Sequence, residues 1–143
     1  MRLSLLVLTA VVVACTPITD QQNPDRAAVI GSEADQRAVA GLWRGAFDAV
    51  DDRLDGPLEF RMAPGAVLFT SSSRGPRHIL WFRITGEHLS GAMETWFDPE
   101  RKADVYTTFE ATVRDGAMSG TVREKIGMEW RDVGTFTASR VSD

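Results

Sequence analysis

The sequence predicts an all-β domain: about eight antiparallel strands in an up-and-down β-barrel, preceded by one short helix. Three observations lead there. From Leu42 almost to the carboxyl terminus, apolar and polar residues alternate with a period of two, the spacing of half-buried strands. Gly, Pro, Asp and Ser interrupt that pattern at roughly the 8–12-residue interval of barrels and sandwiches. A single stretch, residues 33–40, carries the start and stop features of a helix.

Residues 1–14 form a unit of their own. Arg2 precedes an apolar run over residues 3–13, broken only by Ser4, Thr9 and the small Ala10. The run is shorter than the ~20 apolar residues of a membrane-crossing helix. A basic start, an apolar middle and a small-residue end make a secretory signal. Val12-Val13-Ala14-Cys15 resembles the lipobox cut by the lipoprotein signal peptidase, and Cys15 is the only cysteine, so no intrachain disulfide competes for it. The resemblance implies a signal peptide over residues 1–14, a diacylglycerol thioether on Cys15 and a further acyl chain on its new amino group. Two or more chains anchor a protein stably. Thr16, rather than Asp, follows the cysteine, and by the same resemblance this directs the protein to the outer rather than the inner membrane. The expected location is the cell envelope, with the membrane as partner through the lipid.

Sixteen Lys and Arg stand against 20 Asp and Glu, a formal charge of -4; loss of Arg2 with the signal leaves 15 against 20, or -5. Nucleic-acid binding draws on clustered cations, so no nucleic acid is expected as a partner. Arg74, Arg77 and Arg83 come nearest to a basic stripe and read as loop and strand positions.

Residues 15–32 carry the lipidated Cys and a stretch rich in Pro, Gln, Asn and Asp, with no apolar period; they read as a flexible tether. Ser32-Glu33-Ala34-Asp35 resembles a capping box, starting a helix that Gly41 stops. Strands are predicted over 42–50, 58–62, 66–72, 78–85, 89–97, 105–114, 118–125 and 129–141. Asp115-Gly116 predicts a tight hairpin turn, because both central residues must tolerate positive φ. Gly91 and Gly120, each just past a turn, read as sites of bulging or sharp coiling rather than ligand contacts. Alternation assigns Trp43, Gly45, Phe47, Ala49, Leu58, Phe60, Met62, Val105, Thr107, Phe109, Ala111, Val113, Phe136, Ala138 and Arg140 to one face. Glu59, Arg61, Tyr106, Glu110 and Thr112 fall on the other.

Gly41-Leu42-Trp43 opens the first long strand directly after the helix, and Arg140 ends the last. This arrangement resembles the lipocalins and their calycin relatives, whose barrels begin with a short helix and a Gly-x-Trp motif. In those proteins an Arg from the final strand packs across the Trp and closes the barrel floor. The matching residues are Gly41, Trp43 and Arg140. The resemblance implies a lipocalin-like barrel over residues 33–143 that accepts a small hydrophobic ligand. Phe47, Phe60, Phe69, Phe82, Phe109 and Phe136 are the candidate cavity-lining residues, joined by Trp43, Trp81, Trp96 and Trp130. The alternative is a filled barrel, since eight strands enclose little more than their own side chains. Such a protein would have a structural or interaction role, its partner unspecified, with Trp81 and Trp96 on phases that point outward.

No catalytic residues, metal ligands or cofactor are expected, and the chain does not read as an enzyme. His78 and His88 are not spaced as a metal pair, and the one cysteine is committed to lipid. Asp51-Asp52-Arg53-Leu54-Asp55-Gly56 does not match a calcium loop. Ser71-Ser72-Ser73-Arg74-Gly75 lacks the strand–turn–helix setting of a nucleophile elbow. Glu94 and Glu110 are polar residues that a wet strand face needs anyway.

Overall fold

The computed structural model describes residues 28–51, 55–63, 66–71 and 75–141, and the side chains of all of these except 28, 66–71, 75 and 76. The expected signal peptide, Cys15, the tether up to residue 27 and the side chain of Phe69 lie outside the described residues.

Among the described residues the chain is mostly β, with one short helix, in a curled, barrel-like sheet. The elements are β1 (Ala28–Ile30), α1 (Glu33–Val39), β2 (Gly41–Ala49), β3 (Gly56–Ala63), β4 (Ala66–Ser71), β5 (Gly75–Thr85), β6 (His88–Met93), β7 (Trp96–Asp98), β8 (Ala103–Arg114), β9 (Ala117–Ile126) and β10 (Glu129–Arg140). All ten strands belong to one sheet, in the order β1-β5-β4-β3-β2-β10-β9-β8-β6, with β7 on β8. β5 also pairs with β6, so the sheet curls back on itself.

Two features depart from the expected up-and-down meander of about eight strands. β1 lies parallel to β5, with Ala28 opposite Trp81 and Ile30 opposite Arg83. It falls within the expected tether because three apolar residues are too few for a period to register. The predicted strand 89–97 is two strands, β6 and β7, divided at Glu94 and Thr95. The pairing of β5 with β6 slips between Ile79 and Trp81, and the Glu94 amide donates to the His78 carbonyl at 2.9 Å. That bulge turns the chain away from β5 and leaves β7 only β8 as a neighbour.

Local signals explain the other elements. The Ser32 hydroxyl accepts from the Asp35 amide at 3.1 Å and caps α1. Asp115 and Gly116 have φ of 51° and 76°, as a two-residue hairpin between β8 and β9 requires.

One end of the wall is defined by α1. Val39 is buried in the core, and the helix touches both β3 and β5. The start of β2, the end of β10 and the β8–β9 turn meet at this end, where the Arg140 amide donates to the Gly116 carbonyl at 2.9 Å. The other end carries β7 and the β9–β10 turn.

Candidate binding surfaces

At the helix end the structure brings Gly41, Trp43 and Arg140 together. Trp43 is fully buried and is the cross-strand partner of Arg140. The Arg140 guanidinium lies 4.8 Å from the centre of the indole. The indole N–H donates to the Val39 carbonyl at 2.9 Å, and Arg140 donates to the Ala38 carbonyl. Both acceptors belong to the last turn of α1, whose carbonyls have no partner within the helix. Gly41 has a φ of 125°, a conformation that favours glycine, and its Cα side faces the Arg140 methylenes across an ordinary contact distance, 3.8 Å from where a Cβ would stand. One pair of side chains thus binds the first long strand, the last strand and the helix.

The interior is a cluster of phenylalanines. Phe60 packs on Phe109 at 5.9 Å and on Phe136 at 5.5 Å between ring centres, and Phe82 packs on Phe109 at 6.1 Å. All four are buried, as are Leu58, Met62, Ile79, Ile84, Leu89, Met93 and Met118 around them. Phe47 is partly buried against the same cluster. Of Phe69 only the backbone is described, opposite Phe60 on β3. Gly91 and Gly120 owe their identity to this packing: a Cβ on Gly91 would stand 2.4 Å from the Phe109 ring, and one on Gly120 2.6 Å from the Phe136 ring. The rings occupy the space that a side chain would need.

The far end holds charge. Glu124 is 2% exposed and Asp98 8% exposed, and Arg101 reaches both, 3.6 Å from Glu124 Oε2 and 3.5 Å from Asp98 Oδ2. Asp98 Oδ1 accepts from the amides of Glu100 and Arg101, which shapes the turn into β8. Arg77 lies 5.3 Å over Trp96. Glu124, Asp98 and Arg101 were not among the predicted site residues. Glu124 follows Met118, Gly120 and Val122 on the inner phase of β9, so alternation carries the signal for it.

The tryptophans divide. Trp43 is central. Trp96 sits opposite the buried Val105 and so shares the inner phase of β8, contrary to the outward phase expected of it, because the break at residues 94–95 resets the alternation. Trp81 and Trp130 are on the outer face, not among cavity-lining residues: Trp81 Nε1 donates to the Tyr106 hydroxyl at 3.3 Å, and Trp130 meets Tyr106 edge-on at 6.3 Å. Their strands place both on the Tyr106 side of the sheet, away from the phenylalanines.

Two hollows lie on that outer face. One, of about 640 Å³, spans β5, β6, β8, β9 and β10 and is lined by hydroxyls such as Thr85, Thr112, Ser119 and Thr137, with Arg83 and His88. The second, of about 240 Å³, lies between Trp81 and Trp130; Ser90, Glu110 and Thr121 line both. These groups offer hydrogen bonds. Among the described residues no three His, Cys, Asp or Glu side chains gather as metal ligands.

Two carboxylates at the surface, Glu59 and Glu87, are held below the usual carboxylate range. Arg44 hydrogen-bonds Glu59, with Arg61 adding its charge. Arg114 hydrogen-bonds Glu87, and the same contact raises the guanidinium. Compared with protein-family models, curated proteins and solved structures, the chain gives no match.

Proposed function

We propose that this protein is a lipid-anchored envelope lipoprotein, held at Cys15, whose lipocalin-like eight-stranded barrel has a filled core and acts through its outer face. The observation that carries the second half is the contact of Phe60, Phe82, Phe109 and Phe136 at the centre, with rings seated over Gly91 and Gly120. A small hydrophobic ligand inside would have to displace those rings. The outer face offers open hollows. The likeness to lipocalins is supported by the Arg140–Trp43 contact beneath a short helix. The anchor rests on the lipobox residues, and Thr16 favours the outer membrane.

Two measurements test this. Metabolic labelling with a palmitate analogue marks the wild type and not Cys15→Ala; equal labelling of both overturns the anchor. Mass spectrometry of protein purified from the envelope detects no stoichiometric small lipid beyond the covalent chains. A one-to-one apolar companion would replace the filled core with the ligand-binding reading.

A further inference from the structure

Exposed apolar side chains gather on one part of the outer wall. Phe97 is 59% exposed, Met128 87% and Trp130 43%, and they sit on β7, the β9–β10 turn and β10. Leu80, also exposed, stands in the β5 bulge beside Trp81. Tyr106 joins these into one surface. Its hydroxyl accepts from Trp81, its ring meets Trp130, and it lies two residues along β8 from Asp104, the partner of Phe97. Burial alone does not explain such a set, and contiguous exposed apolar surface marks contact with a partner or a membrane.

Two further observations identify the partner. Cations border the aromatic rings: Arg123 lies 5.4 Å and Lys125 5.9 Å from the centre of Trp130. Asp132 and Glu129 pair with Arg123 and Arg131 and offset them, while Lys125 sets a further positive charge beside Trp130. Trp and Tyr flanked by a lysine suit the headgroup level of a bilayer, where anionic lipids attract the ammonium. The chain itself points the same way. Parallel pairing sets Ala28 of β1 beside Trp81, so the segment leading from Cys15 joins the wall next to this surface. Twelve residues separate Cys15 from Ala28, and that length spans no more than ~45 Å.

We propose that this surface, centred on Phe97, Tyr106, Met128 and Trp130, lies against the anionic bilayer that holds the anchor, so that the barrel rests on its side and not free of the membrane. The proposal builds on the lipoprotein reading, and its test leaves the lipid out, so the two can fail separately. The protein used is the mature chain from residue 15 with Cys15→Ser. It is floated with vesicles of phosphatidylethanolamine and phosphatidylglycerol, and tryptophan emission is followed with brominated lipid as quencher. The chain should float with the vesicles and lose emission. Phe97→Ser with Met128→Ser, both on exposed side chains, should weaken partition about tenfold or more. Val50→Ser, a comparably exposed apolar residue off this surface, should not change it. Failure of the mature chain to float, or equal weakening by Val50→Ser, overturns the proposal. So does a dimer in sedimentation that Phe97→Ser with Met128→Ser abolishes, since a second copy would then be the occupant.

Discussion

A buried indole with a cation over its face is both a packing unit and an electrostatic one. Trp43 fills the helix end of the core, while Arg140 lays its guanidinium over the ring and runs its methylenes past Gly41. Truncating Trp43 to Ala should cost ~3–5 kcal/mol, as any buried aromatic would. The informative quantity is the coupling. Denaturant melts of Trp43→Phe, Arg140→Ala and the double variant should give an interaction energy of ~0.5–3 kcal/mol, of which cation–π attraction supplies ~0.5–2 kcal/mol. Strict additivity would mean that ring and guanidinium do not act together. Arg140→Lys is not expected to substitute fully, because a compact ammonium cannot lie flat over the indole and reach the Ala38 carbonyl with a planar fork.

The β5–β6 hairpin is pinned at its tip by an exposed ion pair. The β5–β6 turn meets the end of β8, where the Val113 amide donates to the Glu87 carbonyl at 2.8 Å. Arg114 Nη2 donates to Glu87 Oε2 at 2.8 Å, and its Nε lies 3.2 Å from the same oxygen. Because Arg114 lowers the Glu87 pKa, the folded state holds that carboxylate ionised more strongly than the unfolded chain does. The stabilisation is present above the unfolded carboxylate pKa of ~4.3 and is lost as the pH falls through the lower folded value. A carbon-detected NMR titration should show the Glu87 midpoint move upward in Arg114→Ala. An unchanged midpoint would assign the shift to something other than the ion pair. The effect on global stability should be small, since both groups are exposed and solvent screens them.

For the whole molecule, stability rests on one continuous core inside a curled sheet, with α1 across one end and β7 with the charged turn at the other. Among the described residues the core is a cluster of apolar side chains. Residues 28–143 should therefore give a β-type far-ultraviolet spectrum, and their thermal midpoint should not move on adding a chelator. A helix-dominated spectrum would contradict the strand content, and a chelator-sensitive midpoint would point to a bound metal. The Glu124 carboxylate, buried opposite Thr107 and reached by a half-exposed arginine, is costly to desolvate, so that ion pair is not a source of much net stability.

The strands from β2 to β10, with β6 and β7 read as one, were readable in the sequence because a half-buried strand must alternate, and turn residues bound each run. The helix start at Ser32, the Asp115-Gly116 hairpin and the inner face through Phe60, Phe109 and Phe136 follow from the same local rules. Alternation also put Trp43 and Arg140 on that inner face; their meeting needed β2 and β10 to become neighbours. Three features were settled only by tertiary structure. β1 pairs with β5 through contacts fifty residues apart, beyond the reach of any local period. Gly91 and Gly120 are glycine because rings from neighbouring strands lie over them, and sequence spacing does not record that approach. The division of the tryptophans between core, far end and outer wall depends on a bulge and a chain break, each of which shifts the side-chain phase by one residue and so reverses which face every later residue meets.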